Sequence, residues 1–183
     1  MQIEYSPFAI DIEDSTVNLL KTCRELGVAT VAYSPLGRSV FSPNQSQYVL
    51  TYLNSGFVTG AYRSPDDFEE GDFRKFAPRF SAENFPKNLK LVDGLEALAK
   101  KKNCTSGQLT LAWLMAQGDD IIPIPGTKKI KYLEENLGAL NVKLSDAEEK
   151  EIRDLVENAE VHGQRYPEAF MSHVFGDTPP LKA

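Results

Sequence analysis

Residues 27–38 read GVATVAYSPLGR, and three signals follow one another in them. Gly27 sits where a helix-like stretch ends, and a glycine just past the last helical residue supplies the left-handed backbone that stops a helix. Val28–Tyr33 is a short, mostly apolar, β-branched run that follows the helix directly. That pattern suits a parallel strand buried on both faces. Ser34-Pro35-Leu36-Gly37 closes it as a turn, with Arg38 just beyond.

Upstream, Ile3–Phe8 reads as a short strand ending at Pro7. Asp14 to Leu26 has helical spacing, with Val17 and Leu20 three apart and Leu19, Cys23 and Leu26 at four and three. Asp14 or Ser15 can cap its start. Downstream, residues 38–87 hold no long period. They carry Phe57, Tyr62, Phe68, Phe73, Phe76, Phe80 and Phe85, too many aromatics for a disordered tether. The stretch reads as a long excursion with short helices, of the kind that often forms a lid.

From Asn88 the helical period returns, with Leu91, Val92, Leu95, Leu98 and Ala99 on one face. Thr105-x-x-Gln108 is a capping box that opens the next helix, where Leu109, Ala112, Trp113 and Ala116 face inward and Gly118 ends the run. Ile121–Ile124 is a third strand candidate, although Pro123 removes a ladder donor and would weaken a central strand. Pro125-Gly126-Thr127 follows, then a helix with Ile130, Leu133, Leu137 and Leu140 on one side. Ser145-x-x-Glu148 is a second capping box, opening a helix that carries Ile152, Leu155 and Val156. The tail, residues 162–183, reads as surface chain. Strands alternating with helices imply an α/β fold with a parallel sheet.

The chain has 183 residues, which suits one domain over 1–183 but is short for a closed (β/α)8 TIM barrel of about 250. A formal net charge of -6 argues against a general nucleic-acid binder. No run of apolar residues is long enough to span a membrane, and the N-terminal residues show no secretory pattern. The two cysteines, Cys23 and Cys104, have no metal-ligand spacing and read as small buried side chains in a reducing, cytoplasmic compartment.

In a parallel β/α architecture the functional loops lie at the carboxyl ends of the strands. Those ends are Ser6-Pro7, Ser34–Gly37 and Pro125–Lys129. In the last, Gly126 allows close backbone approach, Thr127 offers a hydroxyl and a helix N-cap, and Lys128 and Lys129 stand in the first helical turn. Cations there oppose the helix dipole, and a bound anion would relieve this. A capped helix with solvated lysines is the other reading. At the middle end, Tyr33 can face a ring while Ser34, Leu36, Gly37 and Arg38 hold a diphosphate. The plain alternative is a turn with an exposed arginine.

IEYSPF, GVATVAYSPLGR and LTLAWLMAQGDDIIPIPGTKKIKYLEENLGAL, in this order, closely resemble the aldo-keto reductase superfamily, and most of all its microbial and fungal NADP-dependent reductases. Pro78–Phe80, the Asn84 segment and Arg165–Pro167 also resemble that subgroup. The resemblance implies a partial TIM barrel, with strands six to eight and their helices. It implies that Gln2 bonds the nicotinamide carboxamide and that Tyr33 stacks on the nicotinamide ring. Ser34, Leu36 and Gly37 would hold the diphosphate, with Arg38 beside it. Gly126, Thr127, Lys128 and Lys129 would surround the adenosine 2′-phosphate of NADPH, and Glu135 and Asn136 would contact the adenine. Tyr132 stands where several members carry Arg, and Ser39 replaces a glycine common in the family.

The family reduces aldehydes or ketones with an Asp, Tyr, Lys and His set from the other half of the barrel, and none of these matches a position here. The resemblance therefore implies no catalytic residue in this chain. Tyr5 belongs to the EYSPF strand, and His162 and His173 are read as surface residues. Two functions follow as expectations: half of an NADPH-dependent carbonyl reductase, acting on a small-molecule carbonyl substrate once an N-terminal half completes it, or a non-catalytic NADP-binding or regulatory partner. Three strands of a barrel leave two unpaired edges and an uncovered interior. The chain alone is expected to be marginally stable or to self-associate.

Overall fold

Three parallel strands, β1 (Gln2–Glu4), β2 (Thr30–Tyr33) and β3 (Ile121–Pro123), lie side by side in the order β1-β2-β3. They belong to a computed structural model that describes residues 1–37, 56–68 and 70–171. Ile3 is the partner of Ala32, Thr30 of Ile121 and Ala32 of Pro123, so these side chains share one face of the sheet. On that face Thr30 and Ala32 are fully buried and Ile121 is nearly so.

The other face is different. Gln2 is exposed, Val31 and Tyr33 are half-buried, and Ile122 and Ile124 are 47% and 43% exposed. The expectation that β2 is buried on both faces is therefore corrected: among the described residues one face is covered. Leu95, Leu109, Trp113 and Ile152 of the helices belong to the same buried core as Ala32 and Ile121. Among the described residues the second face of the sheet carries less cover than the first. Pro123 fits because β3 lies at an edge, where a missing ladder donor costs least.

The helices follow local signals closely where those signals are short-range. Helix α1 spans Leu19–Glu25, five residues later than the spacing suggests. The Asp14 carboxylate takes the Thr16 N–H at 2.7 Å in an Asx-type turn that competes with helix, and Asn18 opens α1 in the left-handed region without a side-chain cap. At the other end Gly27 has φ +65°, its N–H bonds Arg24 O, and Val28 N–H bonds Cys23 O, a Schellman stop. Helix α2 spans Phe85–Lys102 and starts before Asn88, with Pro86 in its first turn where no N–H is needed. Helices α3 (Ser106–Ala116) and α5 (Asp146–Glu157) both open on the expected capping boxes. Between them lies α4 (Ile130–Gly138), and α6 (Glu168–Met171) is a short final turn.

Trp113 is fully buried in α3, whereas Ala116, expected to face inward, is exposed. Cys23 is buried as expected. Cys104 is half-buried, with its thiol pKa pushed up by that burial.

The described part of the excursion, residues 56–84, is built from short 3-10 turns, among them Phe57–Thr59, Phe73–Phe76 and Pro78–Phe80. Its aromatics form a core of their own. The Phe57 ring lies 5.0 Å from Phe8, 5.3 Å from Phe80 and 5.2 Å from Phe85. Arg74 is buried against Asp72 at 2.7 Å, with its guanidinium 4.1 Å from the Tyr62 ring and 4.3 Å from Phe68.

The tail is more than surface chain up to Tyr166. Arg165 is buried and paired with Glu4 at 3.4 Å and with Asp11. His162 is half-buried, and its N–H donates to the buried Asn88 side chain at 2.8 Å. His173 lies outside the described residues.

Phe57→Ala removes the hub of the aromatic core and is expected to cost about 3–5 kcal/mol. Leu26→Ala, at a residue 72% exposed, is expected to change stability by less than about 0.5 kcal/mol. Urea unfolding, followed by the fluorescence of Trp113, checks both.

Candidate functional site

A recess opens at the carboxyl ends of β2 and β3. It is lined by Pro35 and Leu36 after β2, Gly56 and Thr59 from the excursion, Gly107 at the start of α3, Pro125–Thr127 after β3, and Tyr132, Glu135 and Asn136 on α4. Crevices outside the carboxyl ends of parallel strands are where open α/β sheets take ligands.

Each wall has a local cause. Ser34 sits in the left-handed region, with φ 49°, and the Gly37 N–H returns to Ser34 O at 3.0 Å, so the chain reverses tightly after β2. The excursion then clasps this turn. Phe57 N–H donates to Gly37 O at 3.1 Å and Val58 N–H to Leu36 O at 3.3 Å. The approach is so close that a Cβ at Gly56 would stand 1.7 Å from Leu36 O. Only glycine fits there.

On the far wall, Gln108 works twice. Its Oε1 accepts the Thr105 N–H at 3.2 Å to complete the capping box, and its Nε2 donates to Glu135 O at 3.1 Å. The cap of α3 therefore also fixes α4. A Cβ at Gly107 would meet Glu135 Oε1 and Thr59 at ordinary contact distance, so glycine leaves open space at the recess floor.

The recess brings together Leu36, Gly126, Thr127, Glu135 and Asn136 from the sequence-predicted set. Ser34 and Gly37 shape the turn without lining it. Gln2 and Tyr33 do not line the recess; Gln2 is exposed and Tyr33 half-buried. Gln2 pairs with Val31, so Gln2, Val31 and Tyr33 share one face of the sheet by strand alternation. Arg38 and Ser39 lie outside the described residues.

The lysines are placed differently from expectation. Lys129 is the N-cap of α4 and Lys128 precedes it, so neither sits in the first turn. The Thr127 hydroxyl accepts the Lys129 N–H at 3.2 Å, closing a small turn just before the helix instead of capping it. Both lysines are exposed. Sequence reasoning did not find Gly56, Thr59, Gly107 or the Gln108 bridge, because each acts through a partner remote in the chain. Tyr132 was noted only as a departure from the family, and it lines the recess.

Tyr5 is fully buried away from the recess and donates to Glu13. Burial, and then the Glu13 carboxylate, push its pKa well above the usual phenol range. It is a core group. No helix among the described residues is long and apolar enough to cross a membrane.

A sequence profile of the aldo/keto reductase family matches residues 1–157. This chain belongs to the aldo/keto reductase family. It is 56% identical over 181 residues to an NADP(+) aldo-keto reductase of Schizosaccharomyces pombe, covering 99% of this chain and 48% of that protein. An aldo-keto reductase of Strobilurus tenacellus is 51% identical over the same share of each. This aldo/keto reductase chain thus spans about half the length of these relatives.

Among solved structures, a thermostable aldo-keto reductase in complex with the inhibitor epalrestat is similar with a TM-score of 0.52 at 27% identity, over 84% of this chain and 38% of that one. The glycerol dehydrogenase of Gluconobacter oxydans is similar in fold with a TM-score of 0.65 at 21% identity, over 100% of this chain and 45% of that one.

Gly56→Ala forces backbone apart at the clasp. It is expected to destabilise this aldo/keto reductase chain by roughly 1–3 kcal/mol and to speed amide exchange at Phe57 and Val58, read by hydrogen-exchange NMR. Unchanged exchange there would show that the clasp tolerates a side chain.

Proposed function

We propose that this chain is the coenzyme-holding half of an NADPH-dependent reductase of aldehydes or ketones. The observation that carries this reading is the recess, where Leu36, Gly126, Thr127, Glu135 and Asn136 converge from three separate elements. The residues present suit a dinucleotide. The glycines at positions 56, 107 and 126 keep the walls thin, and Lys128 and Lys129 supply cations at the rim for a 2′-phosphate. Tyr33 and Gln2, on the less covered sheet face, would take the nicotinamide ring and its carboxamide, with Ser34, Gly37 and Arg38 at the diphosphate. The name of the Schizosaccharomyces pombe relative supports NADP(+) as the coenzyme.

When bound, NADPH supplies hydride to a carbonyl carbon. This chain's residues hold and orient the coenzyme, and the proton donor comes from the other half of the barrel. Two surfaces support that division. Among the described residues one face of the sheet is only partly covered, and α4 presents Ile130, Leu133 and Leu137 outward at 74%, 49% and 56% exposure. Exposed apolar stripes of this kind mark an interface. The relatives are about twice as long as this chain, so the occupant we propose is the remaining β/α half of the barrel. The small carbonyl substrate would then bind between the halves. Cytoplasmic residence fits this chemistry.

Titration of the full chain with NADPH and NADH, with and without the separately produced N-terminal half of the Schizosaccharomyces pombe relative, tests the proposal. Selective NADPH binding by the chain alone, with aldehyde turnover only when both halves are present, is the expected result. Lys128→Ala and Lys129→Ala are expected each to weaken NADPH by roughly tenfold and to leave NADH unchanged. NADPH binding without turnover in the mixture would favour a non-catalytic NADP-binding or regulatory partner. Self-association of the chain in place of pairing would assign the open surfaces to a second copy. Absence of NADPH binding in both preparations would contradict the proposal.

A further inference from the structure

A second groove runs between α2, the end of α5 and the tail. Among the described residues it shares no lining side chain with the recess. Its volume is about 240 Å³. That is far more than the roughly 10–15 Å³ one water needs and just below the about 300–1,000 Å³ of drug-sized sites, so it suits a small molecule.

Polar clamps hold this groove in shape. The buried Asn88 side chain donates to Arg79 O at 2.8 Å and to His162 O at 2.9 Å, and it accepts the His162 N–H at 2.8 Å. Arg79 in turn donates to Phe8 O and to Gly163 O, both at 3.2 Å. Gly163 has φ +87°, and a Cβ there would stand 2.7 Å from the Pro78 carbonyl, so the tail can turn at this point only with glycine. Helix α2, the tail and Phe8 are therefore fixed relative to one another before a ligand arrives, which lowers the ordering cost of binding.

The lining divides by character. Phe8, Leu91, Leu155 and Val161 supply apolar surface. Lys87 and Lys90 lie three apart on α2 and line the groove together. Lys90 is exposed. Lys87 is held by the Glu83 carboxylate at 3.1 Å, on a side chain 81% exposed, and a pair of that kind is weak enough to yield to a better partner. Among the described lining residues Glu160 is the one acid. Its side chain is 88% exposed, 3.5 Å from His162 Nε2, so solvent screens its charge. Two ammonium groups beside an apolar lining complement an anion that carries an apolar body. A cation would meet like charge there, and a neutral polar solute would leave the apolar lining unmatched.

We propose that this groove binds a small organic carboxylate with a short apolar chain. The chain lies against Leu91, Leu155 and Val161, and the carboxylate meets Lys87 and Lys90. The proposal does not rest on the coenzyme reading of the recess.

NMR titration of the full 183-residue chain with octanoate, octanol and octylammonium, at one ionic strength, tests it. Octanoate is expected to shift the Leu91, Leu155, Val161 and His162 amides saturably and to bind about tenfold more tightly than octanol, with octylammonium weakest. The double variant Lys87→Ala, Lys90→Ala is expected to bring octanoate to the affinity of octanol and to leave octanol within about twofold. Lys87→Arg with Lys90→Arg keeps the charge and should retain octanoate. Ala159→Leu fills the groove and should lose both ligands, with circular dichroism confirming its fold.

Absence of saturable shifts at the groove overturns the proposal. Equal affinity for octanoate and octylammonium, or wild-type octanoate binding in the double Lys→Ala variant, overturns the carboxylate assignment. Groove amides that move with chain concentration and ignore octanoate would give the surface to a second copy and also overturn it. Octanoate binding by a chain that binds no NADPH leaves this proposal standing while the coenzyme reading falls. NADPH binding at the recess without octanoate binding gives the reverse.

Discussion

Two backbone hydrogen bonds, Phe57 N–H to Gly37 O and Val58 N–H to Leu36 O, hold together parts of the chain that would otherwise have little reason to meet. They pin the excursion's return leg to the turn after β2. With that pin in place, Phe57 reaches Phe8, Phe80 and Phe85, and Gly56 and Thr59 become walls of the recess. The clasp exists because Gly56 has no Cβ. Packing of the aromatic core and the shape of the recess therefore depend on one close backbone approach.

One-sided burial is the second constraint. Among the described residues, the face of the sheet that carries Thr30, Ala32 and Ile121 is buried, and the face that carries Gln2, Val31, Tyr33 and Ile122 is half-buried to exposed at those positions. Glu4 belongs to the latter face and is nevertheless buried, because Arg165 folds back on it. A buried carboxylate needs such a partner. The tail is thus tied to the sheet by charge, while α4 turns its apolar stripe outward. One face of that helix lines the recess and the other is exposed.

Much of this was legible in the sequence, and the legible parts are local. The capping boxes at Thr105 and Ser145 and the stop at Gly27 need only residues within one turn of each other, and all three formed. The parallel sheet followed from the order of strands and helices. The family resemblance added candidate positions in the recess, such as Leu36 and Glu135, which spacing alone does not single out. The start of α1 was misread because Asp14 satisfies the Thr16 N–H in a turn instead of capping a helix. The lysines were placed one step too far into α4 because Thr127 closes a turn onto Lys129. Gly56, the Gln108 bridge and the buried Arg165 stayed hidden, since each depends on a contact far along the chain.

The central claim is that the recess between the Leu36 turn and α4 is where the adenosine end of NADPH is held. Amide hydrogen exchange of the full chain, with and without NADPH, addresses it position by position. The account predicts slowed exchange at Leu36–Gly37, at Phe57–Thr59 and across Gly126–Asn136, with little change in the second groove, between α2 and the tail, that Asn88 and His162 line. Protection confined to that groove, or none at the recess under saturating NADPH, would contradict it.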